Sequence, residues 1–215
     1  MLRRMKLYNF FQSSASFRVR AALNLKGLAY EYVPVHLAKG EQKQPGFAAV
    51  TVEGLIPVLE LDDGLRLTQS MAIMEYLDET HPKPPLLPSD AVGRARVRAL
   101  AQIVTCEIHP LHNLRVRKYL LRDLNAGEDA VSHWQKHWIR LGLLAYEAQL
   151  ASQPGAFSHG DAPTLADCCL TPQIFTARRF GCDLSGLPRV MAVFDACMAL
   201  PAFQRAQPSA CPDAE

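Results

Sequence analysis

The sequence predicts an α/β domain followed by an all-helical domain. As far as Thr80, hydrophobic residues recur with the spacing of strands in some segments and of helices in others. After Asp90 their spacing is helical throughout. Between the two parts lies a proline-rich run, residues 81–88, which no helix can cross intact. A length of 215 residues, 49% of them hydrophobic, suits one large or two small domains. We therefore expect domains at 1–81 and 91–215, joined by a linker at 82–90.

The first domain is predicted to begin with a βαβ unit and to end with a hairpin and a helix. Its strands are expected at residues 6–11, 30–35, about 58–61 and 65–68, and its helices at 14–25 and 70–79. The first helix should end near Lys26-Gly27. The run Asp62-Asp63-Gly64, between the last two strands, is typical of a hairpin turn.

The second domain is predicted to consist of helices alone. Helical periods cover residues 91–123, with an interruption near His109-Pro110, and then 128–150, 164–180 and 188–200. Thr164, with Asp167 three residues later, has the form of an N-cap hydroxyl followed by an acid, a near relative of the capping box. A polar tail after Arg205 is expected to be disordered.

Composition excludes several classes of protein. The formal net charge is +2, and neither half has the basic excess of a nucleic-acid binder. No apolar run approaches 18 residues, so no transmembrane helix is expected. The basic residues 1–4 are not followed by the apolar segment of a signal peptide, so we expect a cytoplasmic protein.

The cysteines and histidines indicate neither a disulfide framework nor a metal site. The six cysteines contain no C-x-x-C pair, so reduced and mostly buried thiols are expected. Cys106, His109 and His112 have helical spacing, as do His133 and His137, but neither set has a supporting carboxylate. We therefore predict no metal.

The most informative stretch runs from Ser13 to Arg20, because it follows the first strand and opens the first helix. A strand that leads hydroxyl groups into a helix start directs side-chain oxygens and backbone N–H groups, with the helix dipole, at one point. An anion would be stabilised there. Since the stretch lacks the glycines that allow close backbone approach to phosphate, the thiolate of a bound cofactor fits better.

The same stretch carries a resemblance to a known family. The run S-S-A-S-F-R-V-R-A-A-L at 13–23 resembles the S-S-C-x-W-R-V-R-I-A-L signature of the zeta-class glutathione transferases, the family of maleylacetoacetate and maleylpyruvate isomerases. Supporting matches occur in order at residues 39–42, 55–58, 69–73, 108–110, 112–114, 164–167 and 179–184. The resemblance implies the cytosolic glutathione transferase fold, with an α/β thioredoxin-like N-terminal domain and an all-α C-terminal domain. It also implies a homodimer and glutathione as cofactor.

The resemblance assigns the reactive sulfur to the start of the first helix. The first serine of the motif, Ser13, is expected to donate a hydrogen bond to the glutathione sulfur, and Ser14 lies one residue further into the helix. A donor together with the helix dipole favours thiolate over thiol. Either serine alone could also be a simple N-cap, and the adjacent pair allows one to cap and the other to catalyse.

The remaining glutathione contacts are also implied by the resemblance. The positions are Gln42, Ile56, Pro57, Gln69, Ser70, His109 and Asn113. Gln69 and Ser70, at a helix start, would hold the γ-glutamyl carboxylate. A cis bond before Pro57 would present the Ile56 backbone to the cysteinyl part, and Gln42 would lie near the glycyl carboxylate. His109 and Asn113, spaced i, i+4, are expected to share a helix face over this site.

The implied reaction is the cis–trans isomerisation of maleylacetoacetate or maleylpyruvate by reversible thiolate addition to the double bond. Arginine suits the dicarboxylate substrate because guanidinium pairs bidentately with carboxylate. The candidates are Arg179, with Arg178 as a neighbour that could substitute, and Arg115. Where the family usually has arginine before its paired serines, this chain has Gln12, which we place in the substrate-binding set.

Two alternatives to the isomerase stay open at this point. One is a glutathione transferase that conjugates or dehalogenates small α-haloacids, which needs the same thiolate. The other is a glutathione-binding protein that has lost turnover. Gln12, and Ala15 in place of the family's cysteine, keep this second alternative open.

Overall fold

A computed structural model describes residues 5–151 and 154–215 of the protein. Residues 1–4, the basic start considered above, lie outside the described residues. The first part contains a four-stranded sheet in the order β2-β1-β3-β4. Its strands are β1 at Met5–Asn9, β2 at Tyr30–Pro34, β3 at Val58–Glu60 and β4 at Arg66–Thr68. Helices α1 at Ser14–Leu25, α2 at Pro45–Ala48 and α3 at Ser70–Thr80 accompany the sheet.

The strand pairing confirms the predicted βαβ unit and hairpin. β1 is parallel to β2 and antiparallel to β3, and β3 is antiparallel to β4. The core packs between the sheet and the apolar faces of α1 and α3, where Leu7, Leu59, Leu23 and Leu77 are fully buried. Helix α1 has the predicted bounds. The helix ends at Leu25, and two residues later Gly27 has a φ of 65°, the left-handed conformation that glycine adopts readily after a helix.

Two short helical segments between β2 and β3 were not predicted. A 3-10 turn at Glu41–Lys43 and helix α2 occupy the stretch that the sequence indicates only as a polar loop. Both are a single turn, which is too short for a hydrophobic period to reveal.

A buried ion pair ties α1 to α3 and to the proline-rich segment that follows. The Lys26 ammonium lies 2.9 Å from the Asp78 carboxylate and donates to the carbonyls of His81 at 2.7 Å and Pro84 at 2.9 Å. The Lys26 side chain is fully buried. The Asp78 carboxylate also accepts the Leu86 N–H at 2.7 Å. Both charges are therefore compensated by hydrogen bonds as well as by each other.

The second part of the chain is helical, as predicted. Its helices are α4 at Ala91–Gln102, α5 at His109–His112, α6 at Leu114–Arg122, α7 at Glu128–Leu150, α8 at Leu165–Arg179 and α9 at Pro188–Met198. A π-helical turn at Ile103–Ile108 precedes α5. The predicted capping residues begin α8, where the Asp167 carboxylate accepts the Thr164 N–H at 2.7 Å.

The chain divides into two compact units, and the division differs from the predicted one at the C-terminus. One unit extends to Leu86 and also contains Ala199–Glu215, and the other is Leu87–Met198. The last 17 residues were expected in the helical domain. They belong with the sheet because helix α10, at Pro201–Ala206, packs against α1, where the Asn24 amide donates to the Ala202 carbonyl at 2.9 Å.

The expectation of a disordered tail after Arg205 is wrong. A 3-10 turn at Pro208–Ala210 follows α10, and Cys211 is buried. The Asp213 carboxylate accepts a hydrogen bond from the Phe11 N–H at 3.2 Å. Polar composition alone misled the prediction because these residues are held by partners about two hundred positions earlier in the sequence.

The prediction that most of the cysteines are buried is confirmed. All six lie in the described part of the chain and are free thiols, and Cys168, Cys169, Cys197 and Cys211 are buried. Within residues 5–151 and 154–215, no helix is long and apolar enough to cross a membrane.

Candidate functional site

One edge of the sheet gathers most of the predicted glutathione residues. Tyr8 of β1 pairs with Val58 of β3, which pairs with Thr68 of β4. Because β1 and β4 are both antiparallel to β3, they run in the same direction and end at the same edge, where β3 begins. The segments that carry Ser13, Ile56-Pro57 and Gln69-Ser70 therefore meet at this edge.

The turn between β1 and α1 places Ser13 as the N-cap of the helix. Its backbone is extended, with φ −71° and ψ 115°, and its hydroxyl oxygen accepts the Ser16 N–H at 3.1 Å. Capping uses a lone pair of that oxygen, so the hydroxyl proton can still be donated to an anion. Ser14 is the first helical residue and is buried. The structure thus allows Ser13 to cap and to donate at once.

Helix α3 begins at the same edge with an unusual backbone conformation. Gln69 has φ 65°, a value that residues other than glycine rarely adopt, and its side-chain amide donates to the Glu53 carboxylate at 3.1 Å. Next to it, Ser70 is the first helical residue and is buried. Backbone strain at a helix start is common at ligand sites, so this observation supports the predicted anion-binding role.

Arg18 contacts a predicted site residue, and the sequence did not indicate this contact. It lies on α1, is 2% exposed, and donates from Nη1 to the Ser70 hydroxyl at 3.1 Å. It thereby joins the starts of α1 and α3 and adds a positive charge next to two helix N-termini, which favours an anion. The motif at residues 13–23 contains Arg18, but only the fold shows that the Arg18 side chain reaches α3.

The remaining predicted residues of this unit lie on the loops around β3. The Ile56–Pro57 peptide bond is cis, as predicted. Gln42 is buried in the 3-10 turn, and its amide oxygen has no hydrogen-bond partner in the described part of the chain. Buried amide oxygens are normally satisfied, so Gln42 has capacity for a ligand N–H group. Gln12 is exposed beside Ser13.

In the helical unit, the expectation that His109 and Asn113 share one helix face is wrong. Helix α5 ends at His112, and Asn113 has an extended backbone with φ −66° and ψ 167°. The Asn113 side-chain oxygen caps α6 by accepting the N–H groups of Arg115 at 3.0 Å and Val116 at 3.1 Å. Asparagine prefers this capping position, which overrides a continuous helical spacing.

The predicted arginines of the helical unit have different surroundings. Arg115 is exposed. The Arg178 guanidinium stacks on the Phe194 ring, 4.4 Å from its centre, and that of Arg179 lies 5.0 Å from the Phe180 ring centre. Partial removal from water, together with the positive charge of Arg117, lowers the pKa of Arg179 below its ordinary value.

The positive charge of Arg117 acts on Arg179, and both guanidinium groups are potential donors to a negative group. Two like charges that repel each other are stabilised when an anion lies between or beside them. Arg117 is also paired with Glu128, at 3.2 Å, but that carboxylate is largely exposed.

Comparison with known proteins agrees with this geometry. The glutathione S-transferase N-terminal domain model matches residues 3–79. A maleylpyruvate isomerase from Ralstonia is 52% identical over 212 residues, which cover 97% of this chain and 99% of the relative. Among solved structures, a holo maleyl pyruvate isomerase of the zeta class is 50% identical with a TM-score of 0.95, covering 98% of this chain and 100% of that chain. The maleylacetoacetate isomerase of Anaeromyxobacter dehalogenans with bound GSH is 46% identical with a TM-score of 0.90, covering 99% of each chain. The chain belongs to the zeta class of the glutathione S-transferase family.

Proposed function

We propose that the protein is a glutathione-dependent cis–trans isomerase that converts maleylacetoacetate to fumarylacetoacetate or maleylpyruvate to fumarylpyruvate, a step of aromatic-ring catabolism such as tyrosine degradation. The observation that carries the proposal is the convergence of two helix N-termini, Arg18 and the start of β3 at one sheet edge. Support comes also from the isomerase relatives, one of which was solved with glutathione bound.

The residues at the sheet edge could contact each of the three residues of glutathione. Ser70 and the start of α3, beside Arg18, would hold the γ-glutamyl carboxylate. The Ile56 backbone would pair with the cysteinyl segment, and the Gln42 amide oxygen, which has unused capacity, would accept the N–H of the glycyl residue. The strained backbone of Gln69 supports a binding role at this position.

The chemistry requires an ionised sulfur. Glutathione, when bound, supplies a thiolate that adds reversibly to the cis double bond and leaves after rotation. Ser13 would stabilise the anion by donating its hydroxyl proton while its oxygen continues to accept the Ser16 N–H. The dipole of α1 acts in the same direction, and Ser14 belongs to the same first turn.

The substrate carboxylates require cations, which the helical unit supplies. Arg179 is the main candidate, and Arg117 joins it because its positive charge acts on Arg179, so that both would stabilise a substrate carboxylate. Arg115 is exposed and available. His109, Asn113 and Gln12 stay in the predicted binding set. For Asn113 the capping bonds leave the side-chain NH2 group, rather than its oxygen, to meet a ligand.

The test of the function is a substrate assay with and without glutathione. The absorbances of maleylpyruvate and maleylacetoacetate are followed at equal enzyme concentration, and chloride release is measured with an α-haloacid. We expect isomerisation of at least one dienoate only when glutathione is present. Chloride release without isomerisation would favour the transferase alternative. Glutathione binding without either reaction would indicate a binding protein.

A substitution of Arg179 tests the carboxylate site. Arg179→Met should raise KM for the dienoate about tenfold, the loss expected for one charge-assisted contact, while KM for glutathione stays unchanged. Arg178→Met is the matched control, because the neighbouring guanidinium stacks on Phe194 and should matter little to substrate binding. Steady-state kinetics on both variants measures the difference. A larger KM effect in the control would move the assignment to Arg178.

We also propose that the protein is a cytoplasmic homodimer, as its family resemblance implies. Large apolar side chains are exposed in both units, with Val52 101% and Leu65 55% accessible in the first and Val92 80% in the second. Covering such side chains in a subunit interface would remove apolar area from water.

A further inference from the structure

The turn that carries Ser13 is held by residues that play no part in the proposed chemistry. The turn runs from Phe10 to Ser13, and the Ser13 N–H donates to the Phe10 carbonyl at 3.0 Å. A two-residue turn of this kind has few contacts of its own. The position of the Ser13 hydroxyl therefore depends on what fixes the peptide groups of Phe10 and Phe11.

A buried guanidinium fixes the carbonyl groups of the turn. Arg20, 1% exposed, donates to the Phe10 carbonyl at 3.2 Å and to the Phe11 carbonyl at 3.1 Å. It also donates to the Asn9 side chain at 2.9 Å and to the Ala206 carbonyl at 3.0 Å. Ala206 ends α10, and the carbonyls at a helix C-terminus attract a cation. Arg20 therefore bridges the turn and the C-terminal segment.

A carboxylate near the C-terminus fixes the remaining polar group of the Phe11 peptide unit. The Asp213 carboxylate accepts the Phe11 N–H at 3.2 Å with one oxygen and the Tyr32 hydroxyl with the other. Burial and this bond to Asp213 raise the pKa of Tyr32, so its hydroxyl stays protonated and continues to donate. Both the N–H and the carbonyl of Phe11 are thus held by ionic side chains.

Apolar contacts reinforce the same connection. Cys211 packs in a buried cluster with Phe10 and Phe11, and Ile56 and Tyr32 pack against that cluster. Ile56 is the residue expected to pair with the cysteinyl backbone of glutathione. The buried cluster that contains Cys211 therefore includes two residues of the turn and packs against the residue before Pro57.

We propose that Asp213 and Arg20 are positioning residues for the Ser13 hydroxyl, and that the C-terminal segment 207–215 acts as a strap that pre-orders the turn for the thiolate. The inference rests on the proposed function, because the ordered hydroxyl matters only if it contacts a sulfur anion. A donor that is already in position stabilises an anion more than a donor that must be ordered during the reaction.

The primary test replaces Asp213 by asparagine and by alanine. In the free protein, hydrogen exchange at the Phe11 amide should become about tenfold faster in Asp213→Ala, since the acceptor is lost. With glutathione bound, the thiol pKa, titrated by thiolate absorbance, should rise by about half a unit. The kcat for isomerisation should fall about tenfold while KM for glutathione changes less than about twofold. Asp213→Asn, which keeps one carbonyl acceptor, should be intermediate.

Glu215→Gln is the matched control on the same segment. Glu215 pairs with His36 at 3.2 Å and Lys39 at 3.7 Å, and its side chain is 64% exposed. The Glu215→Gln variant should show unchanged amide exchange in the turn, an unchanged pKa of the glutathione thiol and an unchanged kcat. A protein truncated after Ala206, which loses the whole strap, should show the Asp213→Ala effects at least as strongly.

The outcomes separate this inference from the proposed function. A wild-type protein that lacks glutathione-dependent isomerisation contradicts the function. An active wild type whose Asp213→Ala and truncated variants keep the thiol pKa and kcat contradicts the inference. A lower melting temperature in these variants without a change in thiol pKa would assign a merely structural role to Asp213 and would also overturn it.

Discussion

Replacing Ser13 by alanine is expected to lower kcat for isomerisation about a hundredfold, the usual effect of removing one preorganised donor to an anion. KM for glutathione should change little, because most of its binding groups lie at the two carboxylate ends. The thiol pKa of bound glutathione should rise. Loss of the cap should also lower the free energy of unfolding by about 1 kcal/mol. Kinetics, thiolate titration and urea denaturation measure the three effects.

Two further variants separate capping from catalysis at this position. Ser13→Asp keeps an acceptor for the Ser16 N–H, so stability should be retained, but the ionised side chain has no proton to donate and repels a thiolate. Its kcat should fall at least as far as that of Ser13→Ala. Ser14→Ala tests the neighbouring hydroxyl. Full activity in Ser13→Ala together with a large loss in Ser14→Ala would transfer the sulfur contact to Ser14.

Replacing Lys26 by methionine is expected to cause the largest loss of stability, about 3 kcal/mol or more. The substitution removes the ammonium from Asp78, whose buried carboxylate would keep only the Leu86 N–H of the contacts described above. It also leaves the His81 and Pro84 carbonyls without their donor. Urea denaturation followed by circular dichroism gives the free energy of unfolding.

Lys6→Met provides the matched control for the buried ion pair. Lys6 lies 3.3 Å from Glu60, but its side chain is 41% exposed. Loss of such a surface pair should lower the free energy of unfolding far less than Lys26→Met does. If the free energy of unfolding falls by similar amounts in the two variants, burial of the Lys26–Asp78 pair adds little to stability. That result would contradict the role expected for the pair.

Elements whose causes are local in the sequence were predicted well. Helix α1 is an example, because the hydroxyl at its start, its hydrophobic period and Gly27 at its end all lie within fifteen residues. The capping pair Thr164 and Asp167 is another. The motif at residues 13–23 likewise predicted the family before any contact was known.

Asn113 shows where local reasoning fails. Its spacing from His109 predicts a shared helix face, but the same side chain can also cap the helix that follows, and it does so here. The two conformations compete within a few residues, so the sequence pattern alone cannot rank them. The π-helical turn just before His109 is a second departure from regular helical spacing in this region.

The sequence by itself determined the order of the strands and of the longer helices, the division near the proline-rich segment and the family, because periodicity, caps and motifs are encoded in neighbouring residues. Only the tertiary structure decided that Arg18 reaches Ser70, that Lys26 meets Asp78, and that the final residues join the sheet domain through Asp213. These contacts link positions 52 to 202 residues apart. No local pattern specifies them, since each depends on burial that exists only after the chain has folded.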